Sequence, residues 1–302
     1  MTEIPLTPLR GHNPLGLFAA LGALDVATRA LPSRRVTLRW SEGVDPYAVL
    51  DGPDDVDHLV DLCWADVDRW RTSPVLSGPD GEAWDDIKVP IALVPTWFEQ
   101  TTDPVDRRLL AALVTERAKA KGKDEAKPTH FHFTAGRQLF LVMARQLRDG
   151  LTPDHVREAL VGPWESLSEL PVFGWDAKGE RIYALSGPSP AGVKKTGVPG
   201  ADWLGLLGLR FFPVTLRTVN GEPELETTGC SRGWKSGSFA WPLWDRPISA
   251  PVAASLLGHQ GLGGYTPEDR SALGISAWCT APIRRSDQGG YGSFGAPVVE
   301  TA

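Results

Sequence analysis

Two histidines and a run of lysines carry the most evident chemistry in this chain. His130 and His132 are spaced H-x-H on the stretch Thr129 to Thr134, which alternates like a strand; both would then point to one face, where they could ligate a metal ion. A third ligand would have to come from His12, His58, His155 or a carboxylate, none with a metal-site motif around it. The competing reading is a pair of ordinary histidines beside a core face. Just upstream, Lys119, Lys121, Lys123 and Lys127, followed by Arg137, Arg145 and Arg148, make the densest basic region. Clustered cations bind a nucleic-acid backbone by displacing its counterions; the plain alternative is a solvated, mobile loop. Lys194 and Lys195, within Gly192-Val193-Lys194-Lys195-Thr196-Gly197, and Lys235 beside Trp234 form a second basic set. The first of these stretches lacks the G-x-x-x-x-G-K-[ST] spacing of a phosphate loop, so contact there would be to a backbone.

The other reactive residue types give less. Three cysteines, Cys63, Cys230 and Cys279, lie far apart and make neither a disulfide framework nor a CxxC zinc site. Cys63 falls in an apolar helical stripe and reads as a core thiol. No G-x-S-x-G elbow occurs, and Asp54-Asp55 and Asp85-Asp86 read as solvent-facing carboxylates. With no catalytic constellation, the expectation is a non-enzymatic protein without a cofactor or metal. Of the twelve tryptophans, Trp203, Trp234, Trp241 and Trp244 lie near glycine, proline or basic residues. Such aromatics can stack bases, although core packing is the commoner use.

The elements that must position these residues follow from periodicity. Asn13-Pro14 opens a helix to about Ala30, with a leucine stripe flanked by glycine and alanine, and Val36 to Trp40 alternates as a half-buried strand after Ile4 to Leu9. A helix is predicted from Pro53 to Trp70, with Asp54, Asp55, Asp57, Asp61, Asp66 and Asp68 on its solvated side. Ile87 to Phe98, broken by Pro90 and Pro95, suits edge strands or an irregular connection. Helices are predicted from Pro104 to Lys119, from Gly136 to Arg148 and after Thr152-Pro153. In the second half, Val172 to Trp175 and Arg181 to Leu185 suggest a hairpin, and Asn220-Gly221 between two polar-apolar runs is a stronger one. Gly200 to Leu209 reads as a short packed helix, Ser238 to Trp244 as a strand and Ala250 to Leu257 as a helix; the glycine-rich tail from Tyr291 is unassigned. The fold class is therefore α+β, one compact unit over 1–302 with antiparallel hairpins. Its helix-rich part (1–165) precedes a strand-rich part (166–302).

Composition bounds the function. With 302 residues, 42% hydrophobic and 23% charged, the chain has the make-up of a globular protein with a sizeable core. Its formal charge of −6 rules out a protein-wide basic surface, so nucleic-acid contact must be local. The longest apolar stretch, Leu15 to Leu31, contains Asp25 and Arg29 and reads as neither signal peptide nor membrane span; together with the unpaired cysteines this leads to an expectation of a cytoplasmic protein away from membranes.

Several stretches together resemble one family. Arg10-Gly11-His12-Asn13-Pro14-Leu15-Gly16-Leu17-Phe18-Ala19-Ala20-Leu21-Gly22 is similar to the opening of accessory and large-subunit-like proteins of subtype I-G (formerly I-U) CRISPR systems. Thr134-Ala135-Gly136-Arg137-Gln138 resembles their T-A-G-x-Q segment. Gly197-Val198-Pro199-Gly200-Ala201-Asp202-Trp203-Leu204 with Trp241-Pro242-Leu243-Trp244 resembles a further pattern from the same gene neighbourhoods. The resemblance implies a subunit or accessory of an antiviral RNA-guided complex, in contact with guide RNA or target DNA and with other Cas subunits, and it implies no catalytic residues. Lys119, Lys121, Lys123, Lys127 and Arg137, with Lys194, Lys195 and Lys235, are the expected backbone contacts. Two rivals remain: a protein-only scaffold that binds other Cas subunits through aromatic anchors, and a metal-dependent enzyme using His130 and His132.

Overall fold

The computed structural model describes residues 3–177, 196–231, 233–234, 237–259, 261–285 and 291–301. In chain order the elements before residue 165 are β1 (Ile4–Arg10), α1 (Pro14–Ala30), β2 (Thr37–Trp40), β3 (Tyr47–Asp51), α2 (Val56–Arg69), α3 (Pro74–Ser77), α4 (Val94–Gln100), α5 (Pro104–Leu113), α6 (Phe140–Gly150) and α7 (Pro153–Val161). Those after it are α8 (Pro199–Gly208), β4 (Val214–Val219), β5 (Glu222–Thr227), β6 (Ser238–Trp244), α9 (Ala250–Leu257), α10 (Pro267–Ala272), β7 (Ile275–Arg285), β8 (Gly292–Phe294) and β9 (Val298–Thr301). The fold is α+β with antiparallel sheets.

Helix α1 begins where a capping side chain meets a proline. Asn13 is extended, its Oδ1 accepts the Leu15 N–H at 3.3 Å, and Pro14 fills the first turn, where a missing N–H leaves no bond unmade. Every residue from Pro14 to Ala27 is buried, so α1 is a central helix rather than an amphipathic surface one. Its main partner is α8, also buried throughout. A Cβ on Gly22 would lie 2.0 Å from the Leu204 carbonyl oxygen, and one on Gly208 would lie 2.0 Å from the Phe18 carbonyl oxygen. No real atom fits at that distance, so the helices meet backbone against backbone.

On the other side of the backbone, Phe18 sits in a ring of aromatics from distant parts of the chain. Its ring centroid lies 5.0 Å from Phe131, 5.3 Å from Phe212 and 5.4 Å from Phe239. Aromatic pairs at these separations add about 0.5–1.5 kcal/mol each beyond the area they bury. The sheet β1-β3-β2 flanks α1. Leu38 and Ile248 exchange backbone hydrogen bonds at 2.9 and 3.0 Å, and Trp244 Nε1 donates to the Leu38 carbonyl at 2.8 Å, which joins β2 to the region around β6. The second sheet runs β6-β7-β8, with β9 also paired to β7. The β4–β5 hairpin turns at Asn220 and Gly221, whose φ values of 51° and 83° match a type I′ turn.

Buried charge also crosses between elements. Arg29 Nε donates to Asp25 at 2.6 Å, its Nη1 and Nη2 bond Asp66 at 2.7 and 3.1 Å, and Trp70 Nε1 donates to Asp66 at 3.0 Å. Arg210 completes the set by donating to Asp25. Burial opposes the charge on Arg29, but the bonds from Asp66 and the pull of Asp25 outweigh it and raise its pKa; at Arg210 burial wins, bringing the pKa down to about 10. Asp66, expected on the solvated side of α2, instead turns inward as the acceptor for both Arg29 and Trp70.

Other expectations change as well. Thr129 to Thr134 holds a turn at His130 and Phe131 and is not a strand, its Phe133 carbonyl accepting the Gly292 N–H at 3.0 Å, and Val172 to Trp175 is not a strand; the other half of that expected hairpin lies outside the described residues. Pro95 sits in the first turn of a helix, α4, where the sequence pattern suggested edge strands or an irregular connection. Helix α5 stops at Leu113 because Val114 is extended (φ −147°, ψ 166°), and α6 starts at Phe140, after a turn at Gly136. Among the described residues no helix is long and apolar enough to cross a membrane.

Gly22→Ala should lower stability by about 3 kcal/mol or more, because the backbone it would strike cannot swing aside. Gly264→Ala, with nothing within 4 Å of its Cβ position, should change it by less than about 0.5 kcal/mol. Urea unfolding of both variants checks this; equal midpoints would contradict the backbone contact between α1 and α8.

Candidate nucleic-acid interface

The lysine-rich segment is a small hairpin rather than a mobile loop. The Lys127 N–H donates to the Ala118 carbonyl at 2.8 Å and the Ala120 N–H to the Glu125 carbonyl at 2.9 Å. The hairpin docks on the chain before α4 through Ala126 N–H to the Val89 carbonyl (2.8 Å) and Ile91 N–H to the Asp124 carbonyl (3.1 Å), with Ala118 and Ala126 fully buried. Alanine suffices as an anchor because backbone bonds hold the segment. Lys119 pairs with Asp124 at 2.6 Å and Lys123 with Glu125 at 3.4 Å, exposed contacts of about 0–1 kcal/mol that a polyanion can outcompete. Lys121 and Arg137 are exposed and make no ion pair among the described residues. Arg145 and Arg148 serve the fold instead: Arg145 donates to the Leu76 and Trp84 carbonyls at 2.7 and 2.8 Å, and Arg148 to the Trp70 carbonyl at 3.1 Å.

At the end of this hairpin Lys127 enters a pocket lined also by His130, Arg217, Glu224, Ser231 and Trp234. Arg217 and Glu224 face each other across β4 and β5. Arg217 donates to Glu224 at 3.0 Å and Lys127 approaches the other carboxylate oxygen at 3.6 Å, so one carboxylate bridges two cations. The bond from Arg217, with the charge of Lys127, holds the Glu224 carboxyl below the usual range. Trp234 is half-buried and lies on the guanidinium of Arg285, 3.7 Å from its ring centroid. Arg285 Nε donates to the Trp234 carbonyl at 2.9 Å, while its Nη1 and Nη2 donate to the His132 and His130 carbonyls at 2.7 and 2.8 Å. Burial draws its pKa down to about 10, which leaves it cationic at neutral pH. One arginine at the end of β7 thus fixes both the tryptophan and the histidine turn.

The two histidine rings do different things. Thr227 Oγ1 lies 2.9 Å from His130 Nδ1, accepts the His130 backbone N–H at 2.9 Å, and lies 3.2 Å from Thr129 Oγ1. Burial, with Lys127 and Arg285 nearby, pulls His130 down to about 4, so its ring is neutral at pH 7. His132 Nε2 instead lies 2.8 Å from Asp86 and 3.1 Å from Thr134 Oγ1, and its ring stacks on Phe140. Burial lowers the His132 pKa against the pull of Asp86, so a neutral ring N–H donates to an ionised Asp86. Asp86, expected to face solvent, is therefore turned in. The histidines weighed as a third ligand have other partners: His12 pairs with Asp45 at 3.3 Å, His58 with Asp54 at 3.0 Å, and His155 closes a capping box with Thr152. Among the described residues no group of three or more His, Cys, Asp or Glu could hold a metal ion.

Trp203, Trp241 and Trp244 are fully buried and belong to the core, which leaves Trp234 as the member of that set able to meet a base. Lys194, Lys195 and Lys235 lie outside the described residues. Sequence reasoning did not single out Arg217, Glu224, Thr227 or Arg285. For the first two a signal existed: they stand at equal offsets from Asn220-Gly221, so a two-residue turn places them opposite each other. Compared with protein-family models, characterised proteins and solved structures, the chain has no match.

His130 makes a pH prediction. An unfolded histidine takes up its proton near pH 6.5 and the folded one only near 4, so this group's contribution is intact above pH 6.5 and is lost as pH falls to 4, by about 3 kcal/mol in total. His130→Gln should flatten the stability profile across that window in urea titrations. Parallel profiles for variant and wild type would show that His130 does not titrate as described.

Proposed function

We propose that the chain is a non-catalytic subunit or accessory of a type I CRISPR RNA-guided antiviral complex, in which it holds the backbone of guide RNA or target DNA. The observation that carries the nucleic-acid part is the convergence of Lys127, Arg217 and the half-exposed Trp234 on one pocket, beside a hairpin that presents Lys119, Lys121 and Lys123. Cations for phosphate next to an aromatic face for a base are the two components of sequence-tolerant strand binding. In a protein of formal charge −6 these cations form a local group, which suits a subunit that touches a strand along one edge. The CRISPR assignment is supported by the motif resemblance. Its residues include Phe18, Gly22 and Leu204 at the crossing of α1 and α8, and Trp241 and Trp244 in β6, all structural positions. In such complexes base pairing reads the sequence and proteins hold backbones, so scattered cations suffice and other Cas subunits are the expected partners.

Fluorescence anisotropy with a short RNA, a single-stranded DNA and a duplex, each at low and physiological salt, tests the reading. Replacing Lys119, Lys121, Lys123 and Lys127 by alanine should weaken binding regardless of sequence. It should also lower the slope of log affinity against log salt by roughly 3, since each phosphate that a lysine no longer neutralises removes somewhat less than one unit. An unchanged slope would remove the lysine hairpin from the interface, and no binding to any of the three probes would sink the proposal.

A further inference from the structure

Glu224 stands between Arg217 and Lys127, the place that a phosphate bound to both would need. It bridges Arg217 and Lys127, with Glu226 also on the lining of the pocket, so a phosphate that takes both cations must take its place. Yet the Glu224 side chain is 42% exposed, on a strand next to solvent, so it can leave without disturbing the core. Its carboxylate is chemically a stand-in for phosphate: the same two cations would take phosphate oxygens by charge-assisted bonds. Around this point the pocket offers further polar groups. Thr227 takes up Nδ1 of His130 and leaves Nε2 as the ring's other polar atom, and Ser231 adds a hydroxyl. Trp234, backed by Arg285, supplies an aromatic surface beside them.

We infer that this pocket accepts one unpaired nucleotide, with its base on Trp234 and its phosphate on Lys127 and Arg217, and that Glu224 is the displaceable plug that the phosphate replaces. The inference rests on the nucleic-acid reading above and narrows it. A base can lie on Trp234 only when it is unstacked from its neighbours, so the pocket favours a single strand, a loop or a strand end over a continuous duplex. The plug raises the threshold for weak anions, because an incoming group must break an existing pair with two cations before it binds.

The test uses the full chain and three fluorescent probes: a twelve-nucleotide RNA, the DNA of the same sequence, and its duplex, with Glu224→Gln, Glu125→Gln, Trp234→Ala and Trp234→Phe. Glu224→Gln keeps the shape but frees both cations; it should tighten single-strand binding about threefold. Glu125→Gln, which removes an equal charge beside Lys123, gives the effect of net charge alone and should change affinity less. Trp234→Ala should weaken single-strand binding about tenfold with little change on duplex, and Trp234→Phe should restore most of the affinity. Equal shifts for Glu224→Gln and Glu125→Gln would overturn the plug, and wild-type binding by Trp234→Ala would overturn the base contact. If those variants bind like wild type while the four-lysine variant still loses its salt-dependent affinity, the pocket fails and the wider function stands. If the wild-type protein binds none of the probes, both fall.

Discussion

Two helices far apart in the chain, α1 and α8, touch through their backbones, and the rest of the architecture is arranged around that contact. Neither helix has a polar face; laid against each other, with the β1-β3-β2 sheet and α2 beside α1 and with α7 beside α8, they bury nearly all of their surface. The contact is possible only because Gly22 and Gly208 carry no side chain where the opposing carbonyls lie. Close approach brings Phe18 to the middle of the aromatic ring, and Phe18 touches Phe131. Phe131 lies between His130 and His132, the turn whose carbonyls Arg285 gathers together with that of Trp234. The pocket beside Lys127 and Trp234 is thus held by packing that starts at a glycine in the first helix.

Long-range electrostatics reinforce the same arrangement. The Asp25, Arg29, Asp66 and Arg210 network ties α1, α2 and the turn after α8. Breaking one partner of such a buried set leaves an uncompensated charge, while the intact set adds little net energy, so its effect is to specify which elements meet. The helix-rich and strand-rich parts consequently share one core that runs from Ile4 to Phe294.

How much of this the sequence disclosed depends on whether the signal was local. Helix α1, strand β6, helix α9 and the β4–β5 hairpin were legible to within a residue or so, because Asn13-Pro14, the alternation in Ser238 to Trp244 and Asn220-Gly221 are governed by nearby atoms. Strand β7 was not assigned, although its burial alternates along nearly its whole length. Serine, alanine, cysteine and threonine carry that alternation, and they differ too little in hydropathy to mark it. The strand expected at Thr129 to Thr134 failed for the opposite reason: it has the residue types of a strand, but its carbonyls are taken by Arg285 and its histidines by Thr227 and Asp86. At the candidate site, the lysines and Trp234 were visible as residue types. Their partners came from elements far along the chain, so the pocket existed only once the chain had folded.

The three cysteines have a practical meaning. Cys63, Cys230 and Cys279 are all buried, and burial pushes each thiol well above its ordinary pKa, to about 12 at Cys279. Thiolate is the reacting form, so all three are nearly inert toward alkylating reagents at neutral pH. The natural protein is therefore already a quiet background for site-specific labelling. A single cysteine placed on the exposed tip of the lysine hairpin would take a fluorophore or cross-linker there alone, turning that surface into a reporter.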